Sequence, residues 1–144
     1  MERKSKWIAV VALALRKADS RWLMHRRPPE KHHGGLWEFP GGKVEPDELP
    51  DRALEREIRE ELGIAIRRDR LQPVSFAQSA LHDGAPGIVI LLYRTDHWTG
   101  EPQALEGGEV AWLTREEIIP LPKPPLDVAL CRALFGGSSE KAVQ

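Results

Sequence analysis

The stretch from Gly41 to Ile64, GGKVEPDELPDRALEREIREELGI, predicts a glycine turn that leads into one helix. Glu57, Glu60 and Glu61 stand at positions i, i+3 and i+4, so a helix would project all three carboxylates from one face. Like charges at this separation repel, and a purely structural helix would pair them with lysine or arginine. A divalent cation would supply the missing positive charge, and hard oxygen ligands favour Mg²⁺ or Mn²⁺.

The same helix allows a simpler interpretation, in which the glutamates form a solvated acidic face that Arg56 and Arg59 partly neutralise. The spacing of the whole stretch decides between the two. It follows the pattern G-x5-E-x7-R-E-U-x-E-E-x-G-U, where U is a bulky aliphatic residue, and a chance match is on the order of 10⁻⁹ per starting position. The pattern is filled by Gly42, Glu48, Arg56, Glu57, Ile58, Glu60, Glu61, Gly63 and Ile64.

This pattern is the Nudix box, and the chain resembles the Nudix hydrolases. The resemblance extends over most of the chain to the MutT branch, the nucleoside triphosphate pyrophosphohydrolases. It is carried by Met24 to Arg27 (MHRR), Leu36 to Glu45 (LWEFPGGKVE), Trp98 to Pro102 (WTGEP) and Glu109 to Leu113 (EVAWL). The resemblance implies an α/β fold, an α/β/α sandwich with a central mixed β-sheet, in which the box forms a loop, a helix and a loop.

The resemblance places the metal site in the box. The matching metal-binding glutamates are Glu57, Glu60 and Glu61. Gly41 matches a position whose backbone carbonyl binds the metal, and glycine permits that close approach. Arg56 matches the arginine that orients the catalytic glutamates, and at i, i+4 it can reach Glu60. Glu48 is expected to brace the loop against the helix.

A base for the attacking water is expected outside the box. In the MutT branch a glutamate from a separate loop does this work with help from the metals, and Glu106 in ALEGGE matches it best. Glu109 is near enough to compete, and either residue could coordinate metal instead. Gly107 and Gly108 would give this loop the freedom to close over substrate.

Phosphate contacts are expected from residues around the box. Arg27 matches a phosphate-contacting arginine of the family, whereas Arg26 should face the other side of its strand. Lys43 follows Gly42 in the glycine turn, from which substrate oxygens are within reach. We therefore group Arg27, Lys43 and Gly42 as substrate-binding residues.

The chain departs from the family pattern at the residues that recognise the nucleobase of the substrate. In enzymes that act on 8-oxo-dGTP an asparagine before the C-terminal helix reads the oxidised guanine, and the matching residue here is Pro125, which has no side-chain donor or acceptor. Asp127 is the substitute that could reach a purine. Phe76, Phe39 or Trp37 could stack on the base, although large aromatic residues are usually buried for packing.

Hydrophobic patterning predicts the remaining elements. Strands are expected near residues 7–15, 21–26, 71–79, 87–95 and 109–113. One helix should begin near Pro50, without a good cap at Leu49, and end at Gly63. A second should run from Pro125 to Phe135, with a buried apolar stripe of Leu126, Ala129, Leu130, Ala133 and Leu134.

Length and composition favour a single domain. The chain has 144 residues, of which 41% are hydrophobic, so residues 1–135 are expected to form a single Nudix domain and 136–144 a flexible tail. With 21 basic and 22 acidic residues the net charge is −1, which argues against stable nucleic-acid binding. The apolar run from Ile8 to Leu15 is too short to span a membrane. A lone cysteine, Cys131, fits a reducing compartment, so we expect a cytoplasmic protein, either a monomer or a small homo-oligomer.

The expected function is therefore Mg²⁺-dependent cleavage of a nucleoside 5′-triphosphate to the monophosphate and pyrophosphate. Oxidised dGTP is the first expected substrate, which would make the protein a nucleotide-pool enzyme that supports DNA repair. A pyrimidine nucleotide such as CTP is the second. A rival of another class is a non-catalytic Nudix module that only binds a ligand or partner, but such modules usually lose box glutamates.

Overall fold

The computed structural model describes residues 7–136, and its secondary structure alternates short strands with three helices. The strands are β1 Trp7–Leu15, β2 Trp22–Arg26, β3 Trp37–Glu38, β4 Gly41–Lys43, β5 Ala65–Ile66, β6 Gln72–Gln78, β7 Gly87–Thr95, β8 Trp98–Thr99 and β9 Glu109–Leu113. The helices are α1 Pro50–Leu62, α2 Arg115–Ile118 and α3 Pro125–Phe135, and a short 3-10 turn covers Arg68–Arg70.

A mixed four-stranded sheet forms the middle of the fold, in the order β4-β1-β7-β6. β1 and β7 run parallel over their whole length, from Trp7 opposite Gly87 to Leu15 opposite Thr95. β4 and β6 are antiparallel to their neighbours. A second sheet, β3-β2-β9, and the short pair β5-β8 complete the strands of the described region. The predicted mixed β-sheet is thus confirmed.

Side chains of β1 alternate between two hydrophobic cores, one on each face of the sheet. The first core joins Val11, Leu13 and Leu15 to the apolar face of α1, where Leu54 and Ile58 are fully buried. The second joins Ala12 and Ala14 to α2 and α3 through residues such as Leu130. Because successive strand residues point to opposite faces, one strand supports both helical layers. This is the predicted α/β/α arrangement.

The box helix α1 has the predicted ends. Pro50 occupies the first turn, and no side chain caps the helix at Leu49. At the other end Gly63 has a left-handed backbone with φ of 74°, and its N–H donates to the Arg59 carbonyl at 2.9 Å. The buried side chains of Leu54 and Ile58 stabilise this helix by tertiary packing.

The five predicted strands and two predicted helices are all present, with bounds that differ by one residue at most. The short strands β3, β4, β5 and β8 and the single-turn helix α2 were not predicted, because two to four residues carry too little periodicity. The predicted stripe on α3 is partly wrong, since Ala129 and Ala133 are exposed. Asp127 and Cys131 are buried in their place. Within residues 7–136 no helix has the length and apolar character needed to cross a bilayer.

We expect Ile58→Ala to destabilise the fold by about 2–5 kcal/mol, because it removes a fully buried side chain between α1 and β1 and leaves a cavity. Urea unfolding followed by circular dichroism measures the change. Arg52→Ala, at an exposed position of the same helix, is the control and should change the free energy of unfolding by less than about 0.5 kcal/mol. Equal effects of the two substitutions would contradict the assigned packing of α1.

Candidate active site

A cavity of about 300 Å³ lies beside α1 and the glycine turn of β4. Its polar lining consists of His25, Arg27, Lys31, Glu38, Glu61, Glu106 and Asp127. Its other lining residues are Val10, Val11, Ala12, Pro28, Phe39, Gly41, Gly42 and Ile90. Acidic, basic and apolar groups thus share one cavity, which suits a ligand that has both a charged and a flat apolar part.

The glycine turn brings the backbone close to the box glutamates. Gly41 donates its N–H to Glu61 Oε1 at 3.1 Å, and a Cβ at this position would collide with the Val11 carbonyl of the neighbouring strand. A Cβ at Gly42 would collide with the carboxylate of Glu57. Glycine at position 41 therefore lets β4 lie this close to β1, and glycine at position 42 leaves the space that the Glu57 carboxylate occupies.

Arg56 connects the helix to the loop before it. Its Nε and one terminal nitrogen donate to the two oxygens of Glu48 at 2.8 and 2.9 Å. Its other terminal nitrogen donates to Glu57 at 3.0 Å and to Glu60 at 3.3 Å. The hydrogen bonds from Arg56 lower the pKa of Glu48 to about 2. Glu48 therefore braces the loop, as predicted, while Arg56 sets the orientation of two box carboxylates.

The box carboxylates carry charge that is poorly compensated. Burial raises the pKa of Glu61 to about 7, against the lowering effect of His25, and Glu38 and Glu106 raise it further by repulsion. Burial also raises the pKa of Glu57, although Arg56 opposes that shift. Since desolvation and neighbouring carboxylates both disfavour the ionised form, a cation at this position would stabilise it.

The donor set fits a hard divalent cation. Carboxylate oxygens of Glu57 and Glu61 flank the glycine turn, and Glu60 is half-exposed on the same helix face. A further group, His25, Glu38 and Glu61, has ligand atoms within 4.8 Å of one another, the one such trio found in the described part of the chain. Oxygen-rich surroundings of this kind suit Mg²⁺ or Mn²⁺.

His25 and Glu38 were missed as site residues by sequence reasoning. His25 is 4% exposed; its Nδ1 lies 3.2 Å from Glu38 Oε2 and 3.7 Å from Glu61 Oε2. Burial by itself lowers the pKa of His25, but the contacts with Glu38, the Gly107 carbonyl and Glu61 outweigh this and raise it. Strand alternation could have placed His25 on the same side as Arg27, but the pairing of His25 with Glu38 in adjacent strands is not readable from the sequence.

Of the two glutamates proposed as base, Glu106 is the one that lines the cavity. Its charge contributes to the raised pKa values of both Glu57 and Glu61, which places it near the box. Glu109 begins β9 and forms a partly exposed ion pair with Arg26 at 3.4 Å. The geometry therefore favours Glu106 over Glu109.

Two of the four predicted substrate side chains line the cavity. Arg27 does so, and it donates to both oxygens of Glu38 at 3.2 and 3.3 Å. Asp127 is 6% exposed, accepts the Phe39 N–H at 3.1 Å, and has a pKa that burial raises to about 7 against the effect of that hydrogen bond. Lys43 is exposed outside the cavity lining, and Phe76 is 61% exposed on the edge strand β6. Base stacking by Phe76 would need a different arrangement, whereas Phe39 lines the cavity.

Comparison with known proteins agrees with this geometry. The model of the NUDIX domain family matches residues 6–132. The chain is 37% identical over 131 residues to the CTP pyrophosphohydrolase of Escherichia coli (strain K12). The aligned residues cover 90% of this chain and 93% of that protein. It is 30% identical over 130 residues to the 8-oxo-dGTP diphosphatase of Haemophilus influenzae, with coverage of 90% and 93%.

Solved structures show the same similarity. The solution structure of the Escherichia coli ORF135 protein has a TM-score of 0.79 at 34% identity, covering 97% of this chain and 94% of that one. A MutT structure from work on Aliivibrio salmonicida and Vibrio cholerae has a TM-score of 0.74 at 28% identity, covering 88% and 94%. The family match spans most of the chain and includes the whole box, so the protein belongs to the Nudix family, as a MutT-type hydrolase of phosphoric anhydride bonds.

Proposed function

We propose that the protein uses Mg²⁺ to cleave a (deoxy)nucleoside 5′-triphosphate into the monophosphate and pyrophosphate. One observation carries this proposal: buried Glu61 and partly buried Glu57 meet at the Gly41–Gly42 turn beside a cavity that also holds basic and apolar side chains. Such a cavity suits a triphosphate and a base at the same time. Mn²⁺ would serve as an alternative cation.

Glu57, Glu60, Glu61 and the Gly41 carbonyl would hold the cation. Once bound, it would offset phosphate charge and make the attacking water more acidic. Arg56 keeps Glu57 and Glu60 oriented through its two hydrogen bonds. Arg27 and Lys31 line the cavity, where they would attract the phosphate chain.

Glu106 is proposed to take the proton of the attacking water. The water oxygen forms a new bond to the α- or the β-phosphorus, the anhydride bond from that phosphorus to the oxygen bridging the α- and β-phosphates breaks, and the products are the monophosphate and pyrophosphate. This role is supported by the position of Glu106 at the cavity wall and by the effect of its charge on the pKa values of Glu57 and Glu61. Direct coordination of the cation by Glu106 is an alternative use of the same position.

Substrate selection is proposed to depend on Phe39 and Asp127, which lie at the cavity wall and are joined by a hydrogen bond. One Asp127 oxygen accepts the Phe39 N–H. The other oxygen is left to form a hydrogen bond with the nucleobase of the substrate. An oxidised purine nucleotide, 8-oxo-dGTP, is the first candidate. CTP is the second, and the similarity to a relative named CTP pyrophosphohydrolase over 90% of the chain favours it.

A nucleotide-pool role in support of DNA repair would place the protein in the cytoplasm with small-molecule substrates. The expectation of a monomer or small homo-oligomer stays a prediction, as does the single domain over residues 1–135. The expected tail beyond Gly136 lies outside the described residues. The rival of a binding-only module is disfavoured by the complete set of box glutamates.

We expect Glu57→Gln to lower kcat by about 10³-fold, because it removes a charged ligand worth several kcal/mol in the transition state. The same variant should lose the rise in thermal midpoint that millimolar Mg²⁺ gives the unmodified protein. Pyrophosphate release and thermal unfolding are the two measurements. The control is Glu55→Gln on the same helix, whose side chain contacts Arg68 away from the cavity. Full turnover by Glu57→Gln would refute the metal assignment.

We expect Gly42→Ala to lower kcat nearly as much as Glu57→Gln, because the new methyl group would occupy the space of the Glu57 carboxylate. Circular dichroism should show an intact fold. Gly84→Ala serves as control: its φ of 78° makes alanine strained, but nothing lies within 4 Å of the added Cβ and the position is outside the cavity lining. If Gly42→Ala turned over substrate as fast as the unmodified protein, catalysis would not depend on the position of the Glu57 carboxylate at this turn.

We expect kcat/KM with Mg²⁺ to be at least about 10-fold higher for 8-oxo-dGTP than for dGTP. The assay is pyrophosphate release from a panel of dGTP, 8-oxo-dGTP, CTP, dCTP and ATP. Asp127→Asn should change the ratios among bases while leaving the requirement for Mg²⁺ unchanged. A clear preference for CTP would select the second candidate, and no turnover of any triphosphate would reject the proposed function.

A further inference from the structure

The loop that carries Glu106 is held on one side by the end of the box helix. Leu105 donates its N–H to the Glu61 carbonyl at 3.0 Å, and Gln103 donates to the Leu62 carbonyl at 3.0 Å. These bonds tie the start of the loop to α1. They do not reach Gly107 and Gly108, which lie between Glu106 and the pairing of Glu109 with Arg26 at the start of β9. A second attachment at these glycines would fix the direction of the Glu106 side chain.

His25 supplies that second attachment from β2. Its Nε2 lies 3.0 Å from the Gly107 carbonyl oxygen, 82 residues away in sequence. A carbonyl oxygen only accepts, so Nε2 carries the hydrogen. His25 is 4% exposed, so water does not compete well for this bond. Glu106 thus lies between one anchor on α1 and one on β2.

The two glycines after Glu106 make this close contact possible. Gly107 and Gly108 have φ of 100° and 80°, a region that other residues rarely adopt. A Cβ at Gly108 would collide with the Arg26 carbonyl. The sequence predicts that these glycines give the loop freedom to close, whereas in the structure they let its backbone pack against β2.

The other ring nitrogen of His25 faces the acidic side of the cavity. Nδ1 lies 3.2 Å from Glu38 Oε2, and Glu38 in turn accepts from Arg27 at 3.2 Å. The imidazole therefore joins the Glu106 loop to the strand pair that supports Arg27. Its two nitrogens make separable contacts, one to the loop and one to Glu38.

We propose that His25 is a positioning residue, which holds the Gly107 carbonyl through Nε2–H and thereby fixes Glu106 beside the box carboxylates. This inference rests on the proposed function, because it gives His25 its effect through Glu106. It adds a requirement outside the box: the reaction depends on a hydrogen bond between β2 and the loop before β9.

Two conservative substitutions separate the two contacts. In His25→Gln the amide nitrogen takes the place of Nε2 and can still donate to Gly107, whereas in His25→Asn it takes the place of Nδ1 and can donate only to Glu38. We expect His25→Asn to lower kcat by about 10- to 100-fold with KM little changed, because a displaced base costs rate more than binding. His25→Gln should stay within about threefold of the unmodified enzyme.

A double variant tests whether the effect passes through Glu106. If it does, His25→Asn should cause little further loss once Glu106→Gln is present, because the group it positions is already gone. Losses that multiply in the double variant, or equal losses in His25→Gln and His25→Asn, would overturn the proposal. His82→Asn, in an exposed turn, controls for loss of an imidazole in general.

Hydrogen exchange tests the anchor without any assay of activity. The Leu105 N–H donates a hydrogen bond to the Glu61 carbonyl, and the Gly107 N–H donates one to the Ala104 carbonyl. They should exchange at least about 10-fold faster in His25→Asn than in His25→Gln or the unmodified protein. If Glu106→Gln is fully active, the role proposed for Glu106 fails, and this exchange comparison still decides whether His25 holds the loop. Should His25→Asn not fold, rapid exchange of the loop in His25→Gln overturns the proposal, and protection there supports it.

Discussion

The close approach of α1 to the glycine turn of β4 is the constraint on which the rest of the site depends. The Glu57 carboxylate occupies the space where any side chain at Gly42 would begin, and Gly41 passes the backbone of β1 with no room for a Cβ. The hydrogen bond from Gly41 to Glu61 then sets the position of a second carboxylate. Two acidic groups are thereby brought to one turn, where burial raises the pKa of both and the charge of Glu106 raises each pKa further.

That arrangement is unfavourable for the folded protein by itself, and the surroundings offset it only in part. Arg56 neutralises Glu48 and contacts Glu57 and Glu60, but its charge does not extend to Glu61 through any hydrogen bond that the described residues make. Burial instead raises the pKa of Glu61 to about 7. A divalent cation would offset this electrostatic cost, so the imbalance in the free protein is consistent with the proposed reaction.

The architecture explains why residues from distant parts of the chain meet at this turn. β1 supports both helical layers, and its neighbour β4 delivers the glycines to α1. The second sheet brings His25 and Glu38 to the same cavity from β2 and β3, while the loop before β9 brings Glu106. The cavity therefore lies where the two sheets converge with α1 and α3, which contribute Glu61 and Asp127.

Sequence alone determined the parts of this protein that depend on local spacing. The box pattern, both ends of α1, the five longer strands and the limits of α3 follow from periodicity and from the residues that begin and end helices. So do the acidic face of α1 and the ion pair between Arg56 and Glu60, because both depend on residues three or four positions apart in one helix.

Tertiary structure alone decided which residues complete the cavity. His25 pairs with Glu38 across two strands and with Gly107 82 residues away, and neither contact leaves a trace in local spacing. The same holds for Phe76 and Lys43, which the sequence allowed as substrate contacts but which the fold leaves outside the cavity lining. A local sequence pattern shows only the periodicity of a single strand or helix. The wall of a cavity depends on how separate elements pack, and the two cores on either side of β1 set that packing.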